Sequence, residues 1–187
     1  PLGMRKPVIL GSSDVSENGF AFRWEEMDGA VSYLVNVYTK KDAGMLHDEM
    51  DFSGYPASVP EGWYSSSKAT YMLKGMAGAD VPSLRFSNEG DYLVTPAYDD
   101  EVRSLSFWCR ASAELDGRLC VEAVDHRSGK SVSLAEYEVP TVSGGTVLTC
   151  DGIPEGYTRF VITFNKSASD RGSVAIDDVR VGHGVSY

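Results

Sequence analysis

Residues 157–181, YTRFVITFNKSASDRGSVAIDDVRV, limit the fold more than any other stretch. Phe160, Ile162 and Phe164 alternate with Arg159, Val161 and Thr163, the two-residue period of an extended chain with one apolar face. The polar run from Lys166 to Gly172 reverses the chain, and Ser173 to Val181 supplies a second strand. That strand places Asp177 and Asp178 side by side between Ile176 and Val179. Two carboxylates among apolar neighbours are costly to bury unless something compensates their charge, and a hard cation is the usual compensation. A β framework with an acidic corner is the first expectation.

The rest of the chain repeats the strand pattern. From residue 45 onward, short apolar or alternating runs fall at Met45–Phe52, Ala69–Met72, Ser83–Ser87, Tyr92–Tyr98, Ser104–Ala111, Arg118–Val124, Ser133–Val139 and Gly145–Cys150. Turn signals separate several of them: Asn88-Glu89-Gly90-Asp91, Asp116-Gly117, Ser128-Gly129 and Gly144-Gly145. No segment sustains a 3.6-residue period. The spacing predicts an all-β chain whose residues 45–182 form a double-sheet jelly roll, a β-sandwich. Apolar residues make up 42% of the chain, enough to fill such a core.

Residues 4–40 read as a separate, smaller unit. Pro7 to Leu10, Gly19 to Trp24 and Val31 to Tyr38 are three candidate strands, with a polar turn at Ser12 to Asn18 and another at Asp28-Gly29-Ala30. Pro7, Phe20, Trp24, Gly29-Ala30, Tyr33, Val35 and Tyr38 resemble the opening of a fibronectin type III domain. A full sandwich of that kind needs about 90 to 100 residues, so this is a partial, three-stranded piece. Either its remaining strands lie beyond Tyr187, with the jelly roll inserted, which is the favoured expectation, or it is a small sheet docked on its neighbour. Pro1-Leu2-Gly3 ahead of Met4 looks like a protease-cleavage remnant of a recombinant fusion.

Charge and cysteine content exclude several classes. Seventeen basic residues against 27 acidic ones leave a formal charge of −10, which argues against a nucleic-acid partner, because phosphate binding needs clustered Lys and Arg. Three cysteines, Cys109, Cys120 and Cys150, are too few and of the wrong parity for a disulfide scaffold. No apolar run approaches the length of a membrane-spanning helix. Catalysis finds little support: His47, His126 and His183 fall near a linker, a turn and the C-terminus. Asp99-Asp100 are neighbours whose side chains would point apart on an extended chain, which makes them poor partners for one glycosidic bond. The chain is therefore read as a non-enzyme.

Asp51-Phe52-Ser53-Gly54, Gly62-Trp63, Pro82 to Phe86, Gly90 to Pro96, Leu105 to Trp108 and Ala175 to Val179 together resemble a known group. It is the cleaved-adhesin (choice-of-anchor J) and MAM-like jelly rolls, which are similar to galactose-binding-like modules of carbohydrate-active enzymes. The resemblance covers residues 48–181. It implies a non-catalytic carbohydrate-binding or adhesion module of a larger secreted or surface bacterial protein, with a glycan or cell-surface ligand and other domains of the same polypeptide as partners. A structural spacer is the alternative, and a glycoside-active enzyme a more distant one. The resemblance also implies a structural calcium ion between first and last strands, at Asp51, Asp177 and Asp178. Tyr55, Trp63 and Tyr64, on or beside a long Gly/Pro/Ser-rich loop, are the candidate ligand contacts, although a tryptophan after Gly62 also serves as a buried loop anchor.

Overall fold

The computed structural model describes residues 9–16, 19–25, 28, 46–167 and 169–184. The chain divides into two compact units, residues 1–39 and residues 40–187. In the first, β1 (Ile9–Ser16) pairs antiparallel with β2 (Gly19–Trp24). The expected polar turn from Ser12 is therefore strand as far as Ser16. Ladder bonds explain this: Ser12 lies opposite Phe22 and Ser13 opposite Ala21, and backbone pairing does not require apolar side chains. The expected third strand at 31–38 lies outside the described residues, as do residues 1–3 and the 40–44 linker.

The second unit is a two-sheet β-sandwich. Its strands are β3 (Leu46–Met50), β4 (Tyr64–Ser65), β5 (Thr70–Tyr71), β6 (Ser83–Phe86), β7 (Asp91–Val94), β8 (Glu101–Ala111), β9 (Gly117–Val124), β10 (Ser131–Glu138), β11 (Thr146–Cys150), β12 (Arg159–Lys166) and β13 (Val174–Gly184). One sheet runs β10-β9-β12-β7-β4. The other runs β11-β8-β13-β6-β5, and β3 also pairs with β13. First and last strands of the unit are thus neighbours, Met50 opposite Val179 and Leu46 opposite His183.

Strand parity builds the core. Leu119, Val121 and Ala123 from β9, with Phe160, Ile162 and Phe164 from β12, point inward from the first sheet. Leu105, Phe107 and Cys109 from β8, with Val174 and Ile176 from β13, meet them from the second. Burying such side chains stabilises by roughly 1.5–3 kcal/mol each before entropy is set against it. β7 ends at Val94, short of the expected Tyr98, because Pro96 has no N–H to donate to a ladder. All three cysteines are free, and burial pushes the Cys109 thiol up to about 12.

Candidate functional site

The pairing of β3 with β13 brings the acidic corner together. Asp177 is 1% exposed, and its two oxygens accept backbone N–H groups of Gly78 at 2.8 Å and Asp178 at 2.9 Å. Asp178 sits at a bulge between Asp177 and Arg180 with φ 45°, and its Oδ2 accepts the Ala79 N–H at 2.9 Å. The two acids thus hold the loop that follows the 3₁₀ turn at Lys74–Met76. A Cβ at position 78 would lie 2.1 Å from Asp178 Oδ2, so any larger residue there would have to displace that carboxylate. Asp51 follows Met50 directly and caps its own turn by accepting the Ser53 N–H at 2.9 Å.

Electrostatics at this corner are unbalanced. Burial pushes the Asp177 carboxyl up to about 7, outweighing the two amides, and the charges of Asp178 and Asp51 push in the same direction. The donors are hard carboxylate oxygens, which suit an oxygen-seeking cation. The three side chains are nonetheless not drawn into one ligand shell. Among the described residues, no three His, Cys, Asp or Glu side chains are grouped so as to hold a metal ion.

The three aromatic candidates separate. Trp63 is 6% and Tyr55 8% exposed, and both belong to the core. Tyr55 meets Phe52 edge-on at 5.7 Å and donates its hydroxyl to the Ser67 carbonyl. Gly62, at φ 81° and against Pro96, turns the chain so that Trp63 enters the core. Both rings are corrected from ligand contacts to loop anchors, since no saccharide reaches a side chain so covered. Tyr64 differs: it is 56% exposed on β4, at the edge of the first sheet.

Tyr64 does not stand alone there. Its ring lies 5.9 Å from that of Tyr92 on β7, tilted by 43°. Hydrogen bonding with Tyr64 holds the Tyr92 phenol above its ordinary range. The register extends this edge across the outer face in two rows, Tyr64–Val94–Val161–Glu122 and Tyr92–Thr163–Cys120–Glu136. Arg159, two residues from Val161 on the same face, leaves its Nε covered and without an acceptor. Sequence reasoning did not single out Tyr92, although its alternation with Leu93 already placed it on the face opposite the core. What the parity lacked was the knowledge that β4 would lie beside β7.

The loops at one end of the sandwich enclose a cleft of about 340 Å³ lined by Tyr98, Asp99, Asp100, Asp125, His126 and Thr158 among others. Several of the groups in and beside it are hydrogen-bonded within the protein. His183 Nδ1 lies 2.9 Å from Asp100 Oδ1, and its ring stacks on Tyr98 at 4.6 Å. Tyr98 donates to Asp48 Oδ2 at 2.8 Å, and His126 Nδ1 lies 2.7 Å from Thr158 Oγ1. Asp99 and Asp100 do not form a carboxylate pair across a bond, since Asp100 holds His183.

Two antiparallel sheets packed face to face, with first and last strands adjacent, define a jelly-roll β-sandwich. Solved structures of the same fold include the K1 cleaved adhesin domain of Lys-gingipain (Kgp) from Porphyromonas gingivalis W83. It is 16% identical over 75% of this chain and 99% of that domain, with a TM-score of 0.58. The K3 cleaved adhesin domain of the same protein is 16% identical over 74% and 99%, with a TM-score of 0.55. TmCBM61, solved in complex with beta-1,4-galactotriose, is 18% identical over 71% and 94%, with a TM-score of 0.51. No family model and no curated protein matches the sequence. At these identities the likeness establishes the fold.

Proposed function

We propose that this chain is a non-catalytic carbohydrate-binding or adhesion module of a larger secreted or surface-exposed bacterial protein. The observation that carries the reading is the Tyr64–Tyr92 pair on the open outer face of the first sheet. Aromatic rings offer apolar faces to the C–H faces of a pyranose, and Val94 and Val161 continue that surface. Glu122 and Thr163 supply acceptors, and Arg159 lies on the same face. Sharing a fold with TmCBM61, which binds a galactose oligosaccharide, and with cleaved adhesin domains supports the same reading.

A glycan array followed by calorimetry on the best ligand tests it. Tyr64→Ala is expected to weaken binding by about thirtyfold, roughly 2 kcal/mol, as for a central aromatic contact. Wild-type silence across neutral and acidic polysaccharides, or full binding by Tyr64→Ala together with Tyr92→Ala, rejects the sheet face and leaves a structural spacer.

The proposal includes calcium at the acidic corner. Asp51, Asp177 and Asp178, which form no ligand group as they stand, would have to close around it, with backbone carbonyls of the adjoining loops completing six to eight oxygens. A bound cation there would tie β3 to β13 and offset the repulsion among the three acids. Calcium is expected to raise Tm by several degrees over chelated protein, and Asp178→Ala to remove that rise. An identical Tm with calcium and with chelator overturns the site.

A further inference from the structure

The outer face of the second sheet carries a group of cations that the sugar face does not use. β6, β13 and β8 lie side by side, and one cross-strand row reads Arg85–Ala175–Arg110. With strands about 4.8 Å apart, the two arginines are rooted roughly 10 Å from each other. Ala175 between them is wholly buried, packed with Trp108, Met76 and Tyr71, so the arginines stand at the rim of a closed apolar cluster. The Arg85 guanidinium lies over the Tyr71 ring at 5.1 Å, and Arg110 Nη1 donates to the Gly75 carbonyl. Both stems are half-buried and held in place.

Their charges are unanswered. Among the described residues neither arginine forms an ion pair, although the chain carries an excess of ten acidic groups. Each leaves its Nε–H covered and without an acceptor. The acid nearest in register on that face, Asp177, is already occupied by the Gly78 and Asp178 amides. Beside the row, Tyr71 Oη lies 2.5 Å from Ser173 Oγ, which lies 3.2 Å from Ser112 Oγ. Exposed Lys74 precedes the Gly75 that receives Arg110. With each Nε covered and Arg110 Nη1 held by Gly75, the remaining terminal N–H groups of the two guanidiniums are left to meet the oxygens of a carboxylate or sulfate, which accept charge-assisted N–H bonds.

We propose that the Arg85–Arg110 row on the second sheet binds an oxyanion, a carboxylate or sulfate group, at a site separate from the tyrosine face. The site does not depend on the sugar reading. A neutral saccharide would engage the first sheet, and an acidic one would be able to engage the second.

The test titrates inorganic sulfate into the ¹⁵N-labelled protein at constant ionic strength, with chloride as the reference, and compares Arg85→Gln/Arg110→Gln. Sulfate stabilises folded proteins in general by exclusion from their surface, so only the difference between wild type and variant counts. Saturable shifts at Tyr71, Ser112 and Ser173 are expected in the wild type, with at least a tenfold weaker Kd in the double variant. Affinity gels containing polygalacturonate or dextran sulfate then assign the group: retardation by one, the other or both, lost in the variant, identifies carboxylate, sulfate or either. Non-saturable shifts, or equal shifts in wild type and variant, overturn the proposal. If the double variant does not fold, Arg110→Lys keeps the charge but not the fork, and an unchanged Kd overturns it equally. Tyr64→Ala should leave the sulfate titration untouched, so failure of one face is distinguishable from failure of the other.

Discussion

In the presence of chelator, the protein is expected to lose stability as pH rises from about 4 to about 8, contrary to the usual behaviour of an acidic protein. The cause is Asp177. Its carboxyl ionises at 3.8 in an unfolded chain and is pushed up to about 7 in the folded one, chiefly by burial. Between those values the folded state binds a proton that the unfolded state has released, so raising the pH favours unfolding. The penalty is absent below about pH 4 and complete above about pH 7, where it amounts to about 4 kcal/mol. Asp51, Asp125 and Asp170 are shifted downward instead, each mainly by hydrogen bonds from neighbouring turn residues. Their contribution is present above about pH 4 and is lost below it. A stability maximum near pH 4–5 follows, measurable by urea unfolding across pH 3–9. Asp177→Asn should flatten the limb above pH 5, and a limb of unchanged slope in that variant removes Asp177 as its source.

Phe107→Ala is expected to destabilise the sandwich by about 3–5 kcal/mol, the range for emptying a fully buried phenylalanine site. Phe107 is wholly buried on the inner face of β8 and meets Tyr137 of β10 edge-on, with ring centroids 6.3 Å apart. It therefore joins the two sheets at a point where neither backbone can follow the missing ring, because each is held in its own ladder. Against a total of about 5–15 kcal/mol, that loss is a large share of the stability. The urea midpoint should fall with little change in m. Val147→Ala, on β11 with the side chain outward and exposed, should stay within about 0.5 kcal/mol. Similar losses in the two variants would show that the sheet-to-sheet contact is not where the stability resides.

Much of the fold was legible because β-strands write their burial into a two-residue period. Phe160, Ile162 and Phe164 announce an inward face without reference to any partner, and so do Leu105, Phe107 and Cys109. Turn residues then set where each strand stops. The adjacency of the first and last strands came from the resemblance of the whole pattern to jelly rolls, and the ladder between Met50 and Val179 realises it. Where pairing rather than side-chain character sets the strand, local reading stopped short: Ser12 to Ser16 is polar yet lies in β1.

The candidate site was less legible, for a different reason. Tyr55, Trp63 and Tyr64 share one loop and one composition, and nothing in their spacing says that two turn inward while one faces solvent. That division is made by Pro96 against Gly62 and by the Ser67 carbonyl that receives Tyr55. Tyr92 is 28 residues from Tyr64, and Arg110 is 25 from Arg85; only strand order brings each pair to a common face.

By itself, the sequence determined the all-β class, the alternating core and the presence of an acidic strand near the C-terminus, because each follows from the order of apolar and polar residues along one extended segment. Tertiary structure alone decided which aromatic rings face outward and how Asp177 is compensated. It also decided that two arginines would share a row. These are consequences of which strands become neighbours, and long-range pairing is fixed by the packing of the entire sandwich rather than by any local run of residues.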